Sequence, residues 1–181
     1  DSGILYRRIA LILIKNNIQI NDEKKIKKFL LSLDSISPRK HLVLRKQNVS
    51  KASSQIAVLL SIRKFINLQQ QKIVAQKLKK FKGCVIDGRD IGSKVFKGAK
   101  IKLFIKVNVN IRAKRRHKQL IALGEKSIYA QILKEIKLRD KLDKNRKHSP
   151  LIVPKSAIIL DNSKSFQITS KQINLKFKKL Y

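Results

Sequence analysis

The sequence predicts an α/β domain built on a parallel sheet. Three observations carry that reading. Short apolar runs alternate with long helical stretches, the run Cys84-Val85-Ile86 ends in Asp87-Gly88 where a strand would meet a ligand, and Ile101 to Val107 alternates in the manner of a strand. A 43% hydrophobic and 30% charged composition is a globular mixture, and 181 residues suffice for one core, so 1–181 reads as a single domain.

Gly3 to Lys15 is apolar on most sides, which predicts a buried helix opening near Ser2. Asp22 caps a second, amphipathic helix running to about Leu33. The stretch 35–47, with Pro38, is irregular or a short hairpin. From Ser50 to Lys80 no Gly or Pro interrupts a helical composition, with a break expected near Ser61 and an end at Gly83. Residues 84–87 form a first strand with Cys84 as a small buried hydrophobe, and 101–107 a second. Asn110 caps a helix to Leu123 that Gly124 ends, and Ser127 caps another to about Lys144, closed by Pro150 and Pro154. Ser156 to Asp161 is a third strand, and 165–180 a final amphipathic helix. Strands separated by helices imply βαβ units and a parallel sheet covered on both faces.

A net charge of +33 suits a nucleic-acid partner. Yet 33 of the 44 basic residues are Lys and 11 are Arg, with the lysines scattered through almost every segment beside many Ile and Asn. An A+T-rich coding sequence imposes that bias on any surface. Aromatics are too sparse for stacking platforms, so no specific nucleic acid is expected, and nonspecific sticking to RNA follows from charge alone. No run approaches the roughly 20 apolar residues of a membrane span. Asp1-Ser2-Gly3 is not the basic start of a signal peptide, and one cysteine excludes an internal disulfide. A cytoplasmic monomer without a membrane partner is expected.

Where Lys is the default cation, each Arg marks a place that can use a planar fork. Asp87-Gly88-Arg89-Asp90 follows an apolar strand. Asp87 there can orient hydrated Mg²⁺, Gly88 permits a tight turn, and Arg89 and Asp90 can supply a phosphate fork and a base-reading acceptor; an ordinary polar turn reads the same way. Arg139, Asp143 and Arg146 fall at i, i+4 and i+7 of one predicted helix, as either a nucleotide-facing set or a solvated salt bridge. Arg112, Arg115 and Arg116 share a helical side, suiting a lid over a moving phosphate or a nucleic-acid face. His41, His117 and His148 show no ligand spacing and no Ser or Cys partner, which makes them surface histidines.

In order, these pieces resemble the bacterial cytidylate kinases, a family of P-loop nucleoside monophosphate kinases. Asp1-Ser2-Gly3-Ile4-Leu5-Tyr6-Arg7 is similar to the family's D-S-G-x-x-Y-R. Arg45 through Val49 to Ser54, with Arg63 beyond it, is similar to R-x-x-x-V-x-x-x-x-S. Asp87-Gly88-Arg89-Asp90-Ile91-Gly92, Arg112-Ala-Lys-Arg115-Arg116 and Arg139-Asp140-x-x-Asp143-x-Asn145-Arg146, with Ser149-Pro150-Leu151, complete the set. The resemblance implies a three-layer fold and transfer of the γ-phosphoryl group of ATP, with Mg²⁺, to CMP or dCMP. It implies that Ser54, Arg63 and Asp90 read cytosine and that Asp143, with Arg139, addresses the sugar. The same resemblance implies that Tyr6, Arg7, Arg89, Arg139 and Arg146 surround the acceptor phosphate, that Ser2 is a further substrate-binding residue, and that Arg112, Arg115 and Arg116 belong to a lid at about 110–146. A nucleotide-binding insert is expected at about 34–62, shorter than usual before Arg45. No G-x-x-x-x-G-K-[ST] occurs in these 181 residues, so the first strand and phosphate-binding loop are expected to be missing and the polypeptide inactive by itself. A non-catalytic nucleotide-binding remnant and a basic RNA-binding protein are the alternative readings.

Overall fold

The computed structural model describes residues 1–178; the last residues of the expected final helix, 179 and 180, lie outside them. The chain divides into two compact units. The first comprises Asp1–Ile91 with Arg146–Ser149, and the second Gly92–Asn145 with the residues from Pro150 onward.

The first unit is helical. Helix α1 (Gly3–Lys15) begins after Ser2 as its composition predicts and buries Ile4, Leu5, Ile9, Ala10 and Leu13. Helix α2 (Glu23–Leu31) opens where the Asp22 carboxylate accepts from the Lys25 amide at 2.9 Å, a local cap legible in the sequence. Between 35 and 47 there is no hairpin; the backbone is irregular, with one 3₁₀ turn at Leu42–Arg45. Helices α3 (Gln47–Ile56) and α4 (Leu60–Leu78) divide the long helical stretch at 57–59, slightly before Ser61. Helix α1 packs on α3 and α2 on α4, and the core is aliphatic: Leu5, Ile9, Leu13, Ile26, Ile56 and Ile66 are its heart.

Residues 84–87 do not form the expected strand, for no described segment offers them a ladder. Parallel pairing is a non-local property, and an apolar run without a neighbour stays open: Cys84 is exposed rather than buried, and Val85 is 99% exposed.

The second unit holds the sheet. Strand β1 (Leu103–Lys106) pairs in parallel with β2 (Ile158–Asp161), in the register Leu103↔Ile158 to Lys106↔Asp161. Helices α5 (Val109–Ala122) and α6 (Tyr129–Asn145) pack on one another through Ala113, Leu120 and Ile132, and α7 (Phe166–Lys178) packs against β2. The cap of α5 is Asn108, whose side chain accepts from the Asn110 amide, rather than Asn110 itself. Gly124 ends that helix at φ +73°, a backbone that glycine adopts freely. The expectation that both faces of the sheet are covered is not met: among the described residues the sheet has two strands and little surface to cover, and Leu103, Ile105 and Ile159 remain exposed while Leu160 is buried.

The burial contrast predicts a stability contrast. Ile66→Ala, at a fully buried site, is expected to cost about 2–5 kcal/mol. Leu31→Ala, on the open side of α2, should stay within about 0.5 kcal/mol. Urea denaturation of the two variants measures both.

Candidate functional site

The polar centre of the first unit joins α1, α4 and the Asp87–Asp90 turn. Arg63 of α4 is 3% exposed and donates from Nη1 to Asp90 Oδ2 at 2.9 Å, with Asp90 itself 6% exposed. The Arg63 guanidinium carbon lies 5.8 Å from the centroid of the Tyr6 ring, within cation–π range. The Tyr6 hydroxyl makes no hydrogen bond among the described residues, and Nε of Arg63 makes none either. Burial pushes the Tyr6 pKa up to about 12; Asp90 pushes the same way, while Arg63 and Arg146 pull it down. Four of the residues selected from the sequence, Tyr6, Arg63, Asp90 and Arg146, are therefore electrostatic neighbours.

Gly88 holds this turn against the start of α1. The Ser2 amide donates to the Asp87 carbonyl at 2.9 Å, and a Cβ at position 88 would meet Ser2 Oγ at 2.1 Å and Ile91 Cγ1 at 2.7 Å. Only glycine permits that approach. Ser2 is buried beneath the turn, whereas Arg89 is exposed. Asp87 is also exposed. Among the described residues no group of three His, Cys, Asp or Glu side chains converges as a metal site. A single carboxylate fits only an outer-sphere role toward Mg²⁺, which kinases hold chiefly through waters and substrate phosphates.

Arg7, on α1, has its pKa lowered by burial and by neighbouring Arg45 of the 3₁₀ turn. Two guanidinium groups thus act on one another in this unit, and Arg45, quoted from the sequence only as the start of the R-x-x-x-V stretch, joins the residues given a role there. Ser54 Oγ donates to the Ser50 carbonyl at 3.1 Å, so its hydroxyl is turned back along α3. Arg146 lies one residue beyond the end of α6, in the first unit, while Arg139 and Asp143 lie on α6 in the second. The expected single helical face of Arg139, Asp143 and Arg146 is thus broken by the helix end.

In the second unit the three α5 arginines diverge. Arg112 grips Asp140 of α6 with both terminal nitrogens, at 2.9 and 2.5 Å, which raises its pKa. Arg115 donates to the carbonyls of Asn162 and Lys164, and Arg116 to Gln119 Oε1 at 2.7 Å. The first two reach residues 28 to 49 positions away, which no helical spacing reveals. Arg139 Nε and Asp143 Oδ2 form a long i, i+4 ion pair at 4.0 Å. His117 does have a serine partner, contrary to expectation: its Nδ1 lies 2.8 Å from Ser127 Oγ, and its ring meets Tyr129 edge-on. Ser127 lies against the histidine, and α6 begins two residues beyond it, at Tyr129.

Two measurements follow. Asp90→Ala leaves a buried guanidinium without its anion and is expected to cost about 3–5 kcal/mol, most of it regained in Asp90→Leu combined with Arg63→Met. Chemical denaturation of the single and double variants checks this. Tyr6, neutral below pH 10 in the unfolded chain and up to about 12 in the fold, contributes stability that is present below pH 10 and lost as pH rises from 10 to 12. The alkaline loss should be smaller in Tyr6→Phe by on the order of 2–3 kcal/mol, read from paired urea melts across that range.

Residues 1–176 match the cytidylate kinase family. The chain is 39% identical to the cytidylate kinase of Rickettsia akari over 165 residues, covering 90% of this chain and 71% of that protein. With the cytidylate kinase of Carboxydothermus hydrogenoformans it shares 34% identity over 177 residues, 90% of this chain and 77% of the relative. With that of Mycoplasmopsis synoviae it shares 36% over 187 residues, covering 97% and 84%. A match spanning nearly every residue, on a chain of helices with a parallel β1–β2 sheet, means that this protein belongs to the cytidylate kinase family of nucleoside monophosphate kinases, with their P-loop kinase fold.

Proposed function

We propose that this chain serves the transfer of the γ-phosphoryl group of ATP to CMP or dCMP. An oxygen of the acceptor monophosphate attacks the γ-phosphorus, the bond to the β-phosphate oxygen breaks, and ADP leaves with the electron pair as CDP or dCDP forms. Mg²⁺ bound with ATP supplies charge neutralisation, with Asp87 as an outer-sphere contact.

The observation that carries the reading is the buried Arg63–Asp90 pair beside Tyr6. Cytosine presents an exocyclic amine donor and a ring nitrogen and carbonyl as acceptors. A carboxylate held in place by an arginine can take the first, and the arginine the others, with no reorganisation on binding. In the first unit, Ser54, Arg63 and Asp90 are assigned to the base, and Ser2, Tyr6, Arg7, Arg89 and Arg146 to the acceptor phosphate. In the second, Asp143 with Arg139 is assigned to the sugar and the phosphate, and Arg112, Arg115 and Arg116 to a lid spanning about 110–146. The protein acts as a monomer in the cytoplasm.

Acceptor binding and phosphoryl transfer separate experimentally, because the donor's G-x-x-x-x-G-K-[ST] loop does not occur in these 181 residues. Calorimetry should detect CMP binding to the 181-residue chain, tighter than UMP by about tenfold or more, because uracil places a carbonyl against Asp90. ATP-dependent CDP formation should be absent from that polypeptide and appear when a family-type phosphate-loop segment is fused to its start. Equal affinity for the two nucleotides would sink the base assignment, and steady turnover by the 181 residues alone would sink the separation.

A further inference from the structure

Between Asn145 and Pro150 only four residues, Arg146–Ser149, belong to the first unit. The excursion is closed at its base within the second unit, where the Leu151 amide donates to the Asp143 carbonyl at 2.7 Å. Inside the excursion, Nε of Arg146 donates to the Ser149 carbonyl. Ser149 itself has φ +53°, a backbone that residues with a side chain rarely adopt, and no glycine is used there. Pro150 follows immediately. Its ring fixes its own φ and crowds the residue before it, so the direction of the Ser149 carbonyl is constrained from the C-terminal side as well.

A guanidinium free to rotate about its last torsion can point its fork anywhere. One held at Nε cannot, because that bond fixes the plane in which the two terminal nitrogens lie. Arg146 and Tyr6 belong to the same unit, and the Arg146 charge pulls the Tyr6 pKa down, so the held guanidinium lies within electrostatic range of the polar centre already described.

We propose that Ser149 is a positioning residue: its carbonyl, aimed by the positive-φ backbone and by Pro150, sets the plane of the Arg146 guanidinium for the acceptor phosphate. The proposal rests on the assignment of Arg146 to that phosphate. It gives the Ser149-Pro150 pair a task exerted through the main chain, separate from any contact of the serine hydroxyl.

The test compares cytidine and CMP, which differ by the phosphate alone. Calorimetry on the 181-residue chain gives the ratio of their dissociation constants for the unmodified protein, Pro150→Gly, Arg146→Ala and the two combined. Pro150→Gly is expected to lower the ratio by about fivefold, as a charge-assisted contact weakened but not removed, with cytidine affinity unchanged. Arg146→Ala should lower it at least as far, and the combined variant no further than Arg146→Ala alone. Independently of any nucleotide, the Arg146 Nε–H proton should resist exchange with water in the unmodified protein and exchange rapidly in Pro150→Gly, as read by nitrogen-15 NMR. Equal losses for cytidine and CMP, additive losses in the combined variant, or a rapidly exchanging Nε–H in the unmodified protein would overturn the proposal. Should Arg146→Ala leave the ratio unchanged, the phosphate assignment falls and the positioning role with it. An effect of Arg146→Ala with none from Pro150→Gly removes the positioning role alone.

Discussion

A buried arginine bonded to a buried aspartate is the constraint around which the first unit is arranged. Taking both charges out of water costs several kcal/mol per ion, and their attraction roughly offsets it, so the pair contributes little net stability compared with two apolar side chains of the same size. What it does determine is position. Arg63 brings α4 to the turn at Asp90, Tyr6 brings the face of α1 to Arg63, and Gly88 lets the same turn close on Ser2. Aliphatic packing among Ile9, Ile56 and Ile66 supplies the cohesion, and it tolerates small shifts. The charged centre does not, because an unpaired charge at that depth is too costly.

The second unit uses arginine differently. Arg112 and Asp140 form a partly exposed two-point pair between α5 and α6, and Arg115 satisfies carbonyls that follow β2. These bonds tie helices to loop ends instead of filling an interior. They also occupy groups that a reading of helical spacing treats as one cluster. In a protein whose cations are mostly lysine, the arginines are indeed where planar, multi-point bonding occurs, although several of their partners are the protein's own carbonyls and carboxylates.

Legibility followed distance along the chain. The Asp22 cap, the start of α1 and the end of α5 at Gly124 are decided by neighbours within a turn, and all three could be read directly. The cap at Asn108 was misplaced by two positions because both 108 and 110 are asparagines and only backbone geometry separates them. Residues 84–87 have the composition of a strand, but pairing depends on what lies alongside, and composition is silent about that. Arg63 and Asp90 were each selected, yet their bond spans 27 positions and appears only in three dimensions. The ordered set of motifs sufficed for the family because it needs no geometry; the assembly of the site needed all of it.

The separation of β1 from β2 bears on how the molecule acquires its structure. Paired residues of this ladder lie 55 positions apart, so in an unstructured chain the ladder would have to close a long loop before any contact rewarded it. Helices α5 and α6 fall within that loop and contact each other across a short turn at Gly124, so their pairing demands far less chain closure. By contact order, the helical hairpin is expected to form first in the second unit and the two strands to meet later. During synthesis the ladder can form only after β2 has emerged, by which time the whole of α5 and α6 has already been made.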